Sequence, residues 1–394
     1  MQQHDRTFPV ELNFLPLGKF LMVCFKLSRL VAVWPLVCTA LVALPAVAGD
    51  ETNNEETTVE EEPAERQVRL YRTRSERREA GLHRQLTPWL RFSGLAELET
   101  IGENHAVEGR VEGFKESETV ANIQLGFVAE PLDWLQGELI VEYDSQPNEV
   151  FLEEATISAD VGDWELSYGK QYLPFGQYFS NFITGPILEL GETQETAATL
   201  TWDYEDRIEF SASVYEGVAR RIDKSDNGLD WAFALNGVVH ERLALGISYL
   251  SDLGDADGRL LEDAGNRFVK KVSGLSAFAI WIGESLETTF EVVGAERSFE
   301  ELEGDRDQPL AWNVELALFI HPKAELDFRL EGSRQIEGFP HIQWGVATTI
   351  VLHPRATMTL ELLQGDFKRG LATDDEDNLF RNVTTLGAQI AIAF

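Results

Sequence analysis

From Trp89 to the carboxy terminus, apolar and polar residues alternate with a period of two in one segment after another. That spacing places successive side chains on opposite faces of a β-strand. The first segment sets Leu90, Phe92, Gly94, Ala96 and Leu98 against Arg91, Ser93, Glu97 and Glu99. The second sets Ala121, Ile123, Leu125, Phe127 and Ala129 against Asn122, Gln124 and Gly126. The pattern continues through Leu135, Leu139, Val141 and Tyr143, through Ala155, Ile157 and Ala159, and through Trp164, Leu166 and Tyr168. It resumes at Ala198 and persists to the end, predicting about sixteen strands of roughly ten residues, an even number within the range of bacterial barrels.

The links between these segments alternate as well. Tight turns occur at Glu130–Asp133, Asp160–Asp163, Asp203–Asp206, Val239–Glu241, Gly283–Ser285, His321–Lys323 and His353–Arg355. Each joins an even strand to the next odd one. The odd-to-even links, such as Ile101–Glu118, Ser251–Lys270, Arg297–Gln308 and Gly365–Arg381, are longer or more polar. Short turns at one end and long loops at the other are the layout of an outer-membrane barrel with both termini in the periplasm. Lipid offers no hydrogen-bond partner to an open strand edge, so such a sheet must close. The expected fold is all-β, a transmembrane antiparallel β-barrel spanning 88–394. Trp134, Trp164, Trp202 and Trp281 near the turns, and Tyr143, Tyr168, Tyr249 and Trp231 near the loops, read as interfacial girdles.

The ends of the chain agree. Lys19, Lys26 and Arg29 precede the apolar run Leu30–Ala43 and the small-x-small triplet Ala46-Val47-Ala48, which marks 1–48 as a signal peptide. Met22 is an alternative start. Residues 49–87 form an acidic run followed by a basic one with few apolar positions, a charged periplasmic extension, flexible or partly helical. At the other end Leu386, Ala388, Ile390, Ile392 and Phe394 share one strand face. The terminal aromatic Phe394 resembles the signal read by the barrel assembly machinery.

Both cysteines, Cys24 and Cys38, fall in the leader, so the exported chain has no thiol for a disulfide or a metal. The net charge of -34 excludes nucleic acid as a partner. If the apolar faces meet lipid, the lumen wall receives Glu97, Glu138, Glu142, Glu154, Asp203, Glu209, Glu291 and Asp327, with Glu99, Glu165, Glu287, Glu315, Glu325, Glu331 and Glu361, against few bases such as Arg91, Lys170 and Arg329. Cation preference is expected.

The interval Gly169–Thr199, GKQYLPFGQYFSNFITGPILELGETQETAAT, lacks alternation and follows the fifth strand, the position of a third external loop. Leu173, Phe175, Phe179, Phe182, Ile183, Ile187 and Leu188 make it too apolar for a surface loop, so it is expected to fold into the lumen, where Glu189, Glu192 and Glu195 would line a constriction. Its GKQ-x-x-PFG and LELGET-x-ETA runs resemble the LbtU-type siderophore porin family. That resemblance implies uptake of an iron-siderophore complex through a barrel without a plug, with a pore role for Lys170, Gln171, Pro174, Phe175, Gly176, Glu189, Glu192, Glu195 and Thr196. A general or cation-selective diffusion porin is the alternative.

Other candidates carry less. Asp255-Ala256-Asp257-Gly258 begins like a calcium loop, but Leu253 and Ala264 stand where that motif needs acids, and the segment reads as a turn. Asp374–Asp377 reads as a loop tip, and no Ser or acid is matched with His on a strand face, so no enzyme, metal or cofactor is expected. The expected partners are outer-membrane lipid and lipopolysaccharide, the assembly machinery and a small-molecule cargo, a ferric siderophore among the candidates, with a homotrimer compatible with the pattern. Mass spectrometry of the protein recovered from envelopes should find Gly49 at its amino terminus; a retained leader would contradict the export signal.

Overall fold

The computed structural model describes residues 84–394 apart from 110–113, 206, 224–227, 257, 259, 262–264, 303–305 and 374–378. The expected signal peptide, most of the charged extension and the Asp374–Asp377 run lie outside the described residues.

The sixteen expected strands are all present and pair in a closed ring. In chain order they are β1 (Leu90–Val107), β2 (Phe114–Leu132), β3 (Leu135–Asp144), β4 (Glu149–Val161), β5 (Trp164–Tyr172), β6 (Gln194–Tyr204), β7 (Ile208–Glu216) and β8 (Leu229–His240). They continue as β9 (Leu243–Leu250), β10 (Gly274–Ile282), β11 (Leu286–Ala295), β12 (Leu310–His321), β13 (Ala324–Arg334), β14 (Ile342–His353), β15 (Ala356–Asp366) and β16 (Phe380–Ala393). Each pairs antiparallel with its sequence neighbours, and β16 closes onto β1 from Phe380↔Val107 to Ala393↔Leu95.

Burial is inverted relative to a soluble protein. The outward face is apolar and open, with Ile157, Tyr168 and Ile247 each at least 60% exposed, whereas the inward Glu291, Glu315, Glu331 and Glu361 are at most 2% exposed. An apolar belt this continuous belongs against lipid rather than water. Trp134, Trp164, Trp231 and Trp281 are exposed on that belt, and Trp164 packs on Trp202 with ring centroids 6.1 Å apart.

The structure departs from the alternation in three places. Ile101–Glu118 is not a loop: β1 and β2 are 18 and 19 residues long and stay paired to His105↔Phe114. The hairpin is polar on both faces there, with Thr100, Gly102 and Asn104 on one and Glu103 and His105 on the other, which erased the apolar signal. The inner face of β10 is apolar too, because Phe278, Ile280 and Ile282 pack with Ala244. Finally, the sheet begins at Arg84, since Arg84–Thr87 pairs with β1 at Leu90–Phe92.

That short strand continues the line of β16 below its last residue. Phe394 exchanges two 2.9 Å backbone hydrogen bonds with Gly94, and its ring lies over the glycine, where a Cβ would run into it. The seam therefore depends on an absent side chain. Gly94→Val should push the ring off and cost about 1–3 kcal/mol of stability, seen as a lower midpoint in urea titration of the refolded barrel. An unchanged midpoint would mean that the Phe394 ring does not hold the seam.

Candidate functional site

The segment between β5 and β6 leaves the wall and lies against its inner face. Its neck is closed by Leu173 N–H donating to Thr193 O at 2.9 Å. The Tyr172 hydroxyl donates to Glu153, whose backbone carbonyl accepts from Gln194 Nε2 at 2.7 Å. Glu153 sits where the β3–β4 register slips between Ile140↔Glu154 and Val141↔Leu152, and this extra residue brings a buried carboxylate to the Tyr172 hydroxyl. Alternation could not reveal it, because a bulge breaks the period.

Irregular backbone enclosed by a wall has amide protons that no strand ladder accepts, and each must find a partner. Four glutamates on four strands supply them. Glu291 on β11 accepts from the backbone N–H groups of Gln177 (2.6 Å) and Tyr178 (3.0 Å). Glu315 on β12 accepts from Asn181 N–H (3.0 Å) and the Ser180 hydroxyl (2.7 Å). Glu361 on β15 accepts from Ile183 N–H (2.8 Å), Thr184 N–H and the Thr184 hydroxyl (2.5 Å). Glu331 on β13 accepts from Ile187 N–H (2.8 Å).

Arg329 on β13 stands among them, 2% exposed. It donates to Glu315 (Nε, 2.8 Å) and Glu331 (Nη1, 3.3 Å), to Gly185 O (3.2 Å) and to the Ser180 hydroxyl, and it lies 4.2 Å from the Phe182 ring centroid. A planar guanidinium can serve all of these at once; a lysine could not.

Apolar contacts fill the rest. Leu173, Phe175, Ile187, Leu188 and Leu190 are buried with Tyr215, Leu250, Val272 and Val293, and Phe182 is buried with Ala347 and Leu363. Small residues make the room: a Cβ at Gly274 would stand 2.8 Å from the Phe175 ring, and one at Gly345 2.8 Å from that of Phe182. Gly176 turns the chain at φ 74°, and its N–H donates to Ser248 Oγ at 2.9 Å.

The candidate pore residues separate into groups. Pro174, Phe175 and Gly176 shape the bend at the root of the segment. Glu189 and Glu192 are half-buried around the 3-10 turn Ile187–Gly191, where Glu192 N–H caps Glu189 O. Gln171 and Glu195 pair across β5 and β6 on the inner face, Gln171 donating to Ala197 O at 3.0 Å. Lys170 and Thr196 pair one residue away, on the face that carries Leu166 and Tyr168, and the Lys170 ammonium donates to Leu152 O at 2.6 Å. These two therefore face away from the lumen.

The charged wall residues separate too. Glu291, Asp327 and Arg329 are buried on strands the segment covers, Glu209 is buried against Ser211, and Glu142 is buried against Gln124. Glu97, Glu99 and Glu103 on β1, Glu138 on β3, Glu154 on β4 and Asp203 on β6 face inward and stay partly exposed. Gln389 donates to Glu99 at 2.6 Å and Thr385 to Glu103 at 3.1 Å. Among the described residues of this half of the wall, the inward bases are held by acids: the Arg91 guanidinium by Glu130 at 2.5 Å, and His105 by Glu103, which lies 2.8 Å from its Nε2.

No family model matches the chain. It is 27% identical over 141 residues to a UPF0422 protein of Coxiella burnetii, a match covering 32% of this chain and 30% of that relative's length. Solved structures are far more similar in shape. An anion-selective porin from Comamonas acidovorans superposes with a TM-score of 0.57 at 8% identity, over 77% of this chain and 99% of that one. OprB of Pseudomonas putida gives 0.53 at 12% identity, over 78% and 94%. A triple mutant of the Rhodopseudomonas blastica porin gives 0.51 at 8% identity, over 77% and 100%. The fold is that of the porins. At these identities the likeness carries architecture alone, and the porin-type barrel must be read for function from its own inner wall.

Arg329→Ala should leave Glu315 and Glu331 buried without their cation, at a cost of about 3–5 kcal/mol, and release the segment from the wall. Thermal unfolding should begin lower and bilayer conductance should rise and become noisy, with Arg329→Lys failing to restore either. A wild-type midpoint and conductance in the alanine variant would contradict the clamp.

Proposed function

We propose that the chain forms a water-filled pore in the outer membrane of a Gram-negative bacterium, with its long connections outside, and that it passes small cations in preference to anions. The observation that carries this is the acidic inner face of β1, β3, β4 and β6, with Glu97, Glu99, Glu103, Glu138, Glu154 and Asp203 left partly exposed where the lumen segment does not lie. Charges within about 8 Å of a permeant ion escape most of the screening at physiological salt, so those on a narrow wall set its selectivity. The Comamonas porin is anion-selective on a similar fold, so on this reading wall charge and not architecture sets the selectivity. Glu189, Glu192 and Glu195 are the candidates for the narrowest point.

A second reading is uptake of an iron chelate without energy coupling. What supports it is the resemblance of the runs GKQYLPFG and LELGETQETA, at the bend and neck of the lumen segment, to the siderophore porin family. An acidic wall disfavours polyanionic chelates, so the cargo on this reading is neutral or cationic.

In a planar bilayer under a salt gradient the reversal potential should have the sign of a cation-selective pore, and Glu97→Gln with Glu99→Gln and Glu138→Gln should move it toward zero. Anion selectivity, or no response to these changes, would overturn the first reading. Unchanged growth of a deletion strain on chelated iron would remove the second.

A further inference from the structure

Three carboxylates meet at the end of the barrel that carries the long connections. Asp252 and Asp255 lie in the connection that follows β9, and Asp230 is the second residue of β8; one carboxylate oxygen from each lies within 4.8 Å of the other two, and all three residues are buried. The neighbouring chain is fitted closely around them. Ala219 N–H, from the connection after β7, donates to Asp255 Oδ1 at 2.8 Å, and a Cβ at Gly217 would collide with the same carboxylate. Tyr215 OH donates to Asp255 Oδ2 at 3.4 Å.

The positive charge at this cluster is incomplete. Lys271 bonds both oxygens of Asp230 at 2.5 Å, and Ser251 donates to one of them, but its ammonium is the cation within reach among the described residues, against three acids. Asp252 is wholly buried; its Oδ1 accepts Gly254 N–H at 3.0 Å, and its Oδ2 accepts no hydrogen bond. A buried carboxylate oxygen left this way is costly unless something else binds it.

We propose that Asp230, Asp252 and Asp255 form a binding site for one divalent cation of the calcium class. Oxygens spaced within 4.8 Å fit ligands at the 2.3–2.6 Å of a calcium shell, and one such ion with Lys271 balances the three carboxylates. Magnesium, which gives up its waters reluctantly, suits an enclosed site of protein oxygens less well.

The ion would act on the pore's architecture. Leu253 and Val272 from the same connection are buried with Phe175 and Leu188 of the lumen segment. A cation holding Asp252 and Asp255 to Asp230 therefore fastens the rim over the root of that segment, independently of which solute the pore passes.

The test uses the full-length exported barrel in detergent, stripped with chelator and titrated with calcium chloride by calorimetry, with thermal unfolding followed in parallel. Saturable uptake of one ion and a raised unfolding temperature are expected, with a smaller rise in magnesium and none in sodium chloride of equal ionic strength. Asp252→Asn should weaken binding at least about tenfold, since losing even a partner of a ligand commonly costs that much, while Asp223→Asn on the same rim should not. Should Asp252→Asn fail to fold, Lys271→Gln removes the competing ammonium from a partly exposed position and should tighten binding. Absence of calcium-specific binding at millimolar concentration, wild-type affinity in folded Asp252→Asn, or unchanged or weaker affinity in Lys271→Gln would each overturn the site.

Discussion

Backbone that leaves a β-ladder inside a closed barrel must find acceptors for its amide protons, and this requirement organises the inner wall. Glu291, Glu315, Glu331 and Glu361 project from β11, β12, β13 and β15 and receive the N–H groups of the lumen segment at 2.6–3.2 Å. The exchange is mutual. A buried carboxylate without donors would be expensive, and so would an enclosed amide without an acceptor. Arg329 offsets part of the shared negative charge and contacts both wall and segment.

This arrangement gives wall acids two different jobs. Those on β11–β15 under the segment are structural and lie out of reach of water. Those on β1, β3, β4 and β6 keep partial exposure, and in the proposed function they supply the field that a passing ion meets. Counting every inward acid as part of the pore overstates its charge; dividing them by what covers them leaves one acidic flank facing a packed one. Phe175, Leu188 and Phe182 then serve as an internal core, so the barrel is inside-out at its belt and conventional where the segment meets the wall.

The belt and the ring were legible because lipid and lumen impose a period of two that neighbouring residues record directly. The outward placement of Lys170 and Thr196 was legible by the same rule, since Lys170 shares parity with Leu166 and Tyr168; assigning them to the pore followed the motif instead of the alternation. The extent of β1 and β2 was not legible, because strands that rise beyond the belt are wet on both faces. Glu153 was hidden by a bulge. The clamp was hidden by distance, as Gln177 and Glu291 are 114 positions apart and Thr184 and Glu361 177. Asp255 was visible only as part of a failed calcium loop, because Asp230 reaches it through the fold.

The central claim is that the lumen segment is bonded to the wall and not merely enclosed by it. Amide hydrogen exchange of the detergent-solubilised barrel tests this most directly, because carboxylate-bound backbone amides open only when the clamp does. Slow exchange at Gln177, Tyr178, Asn181, Ile183, Thr184 and Ile187, comparable to that of the strands, is the expected result. Exchange at these positions as fast as in the exposed stretch around Asp223 would contradict it.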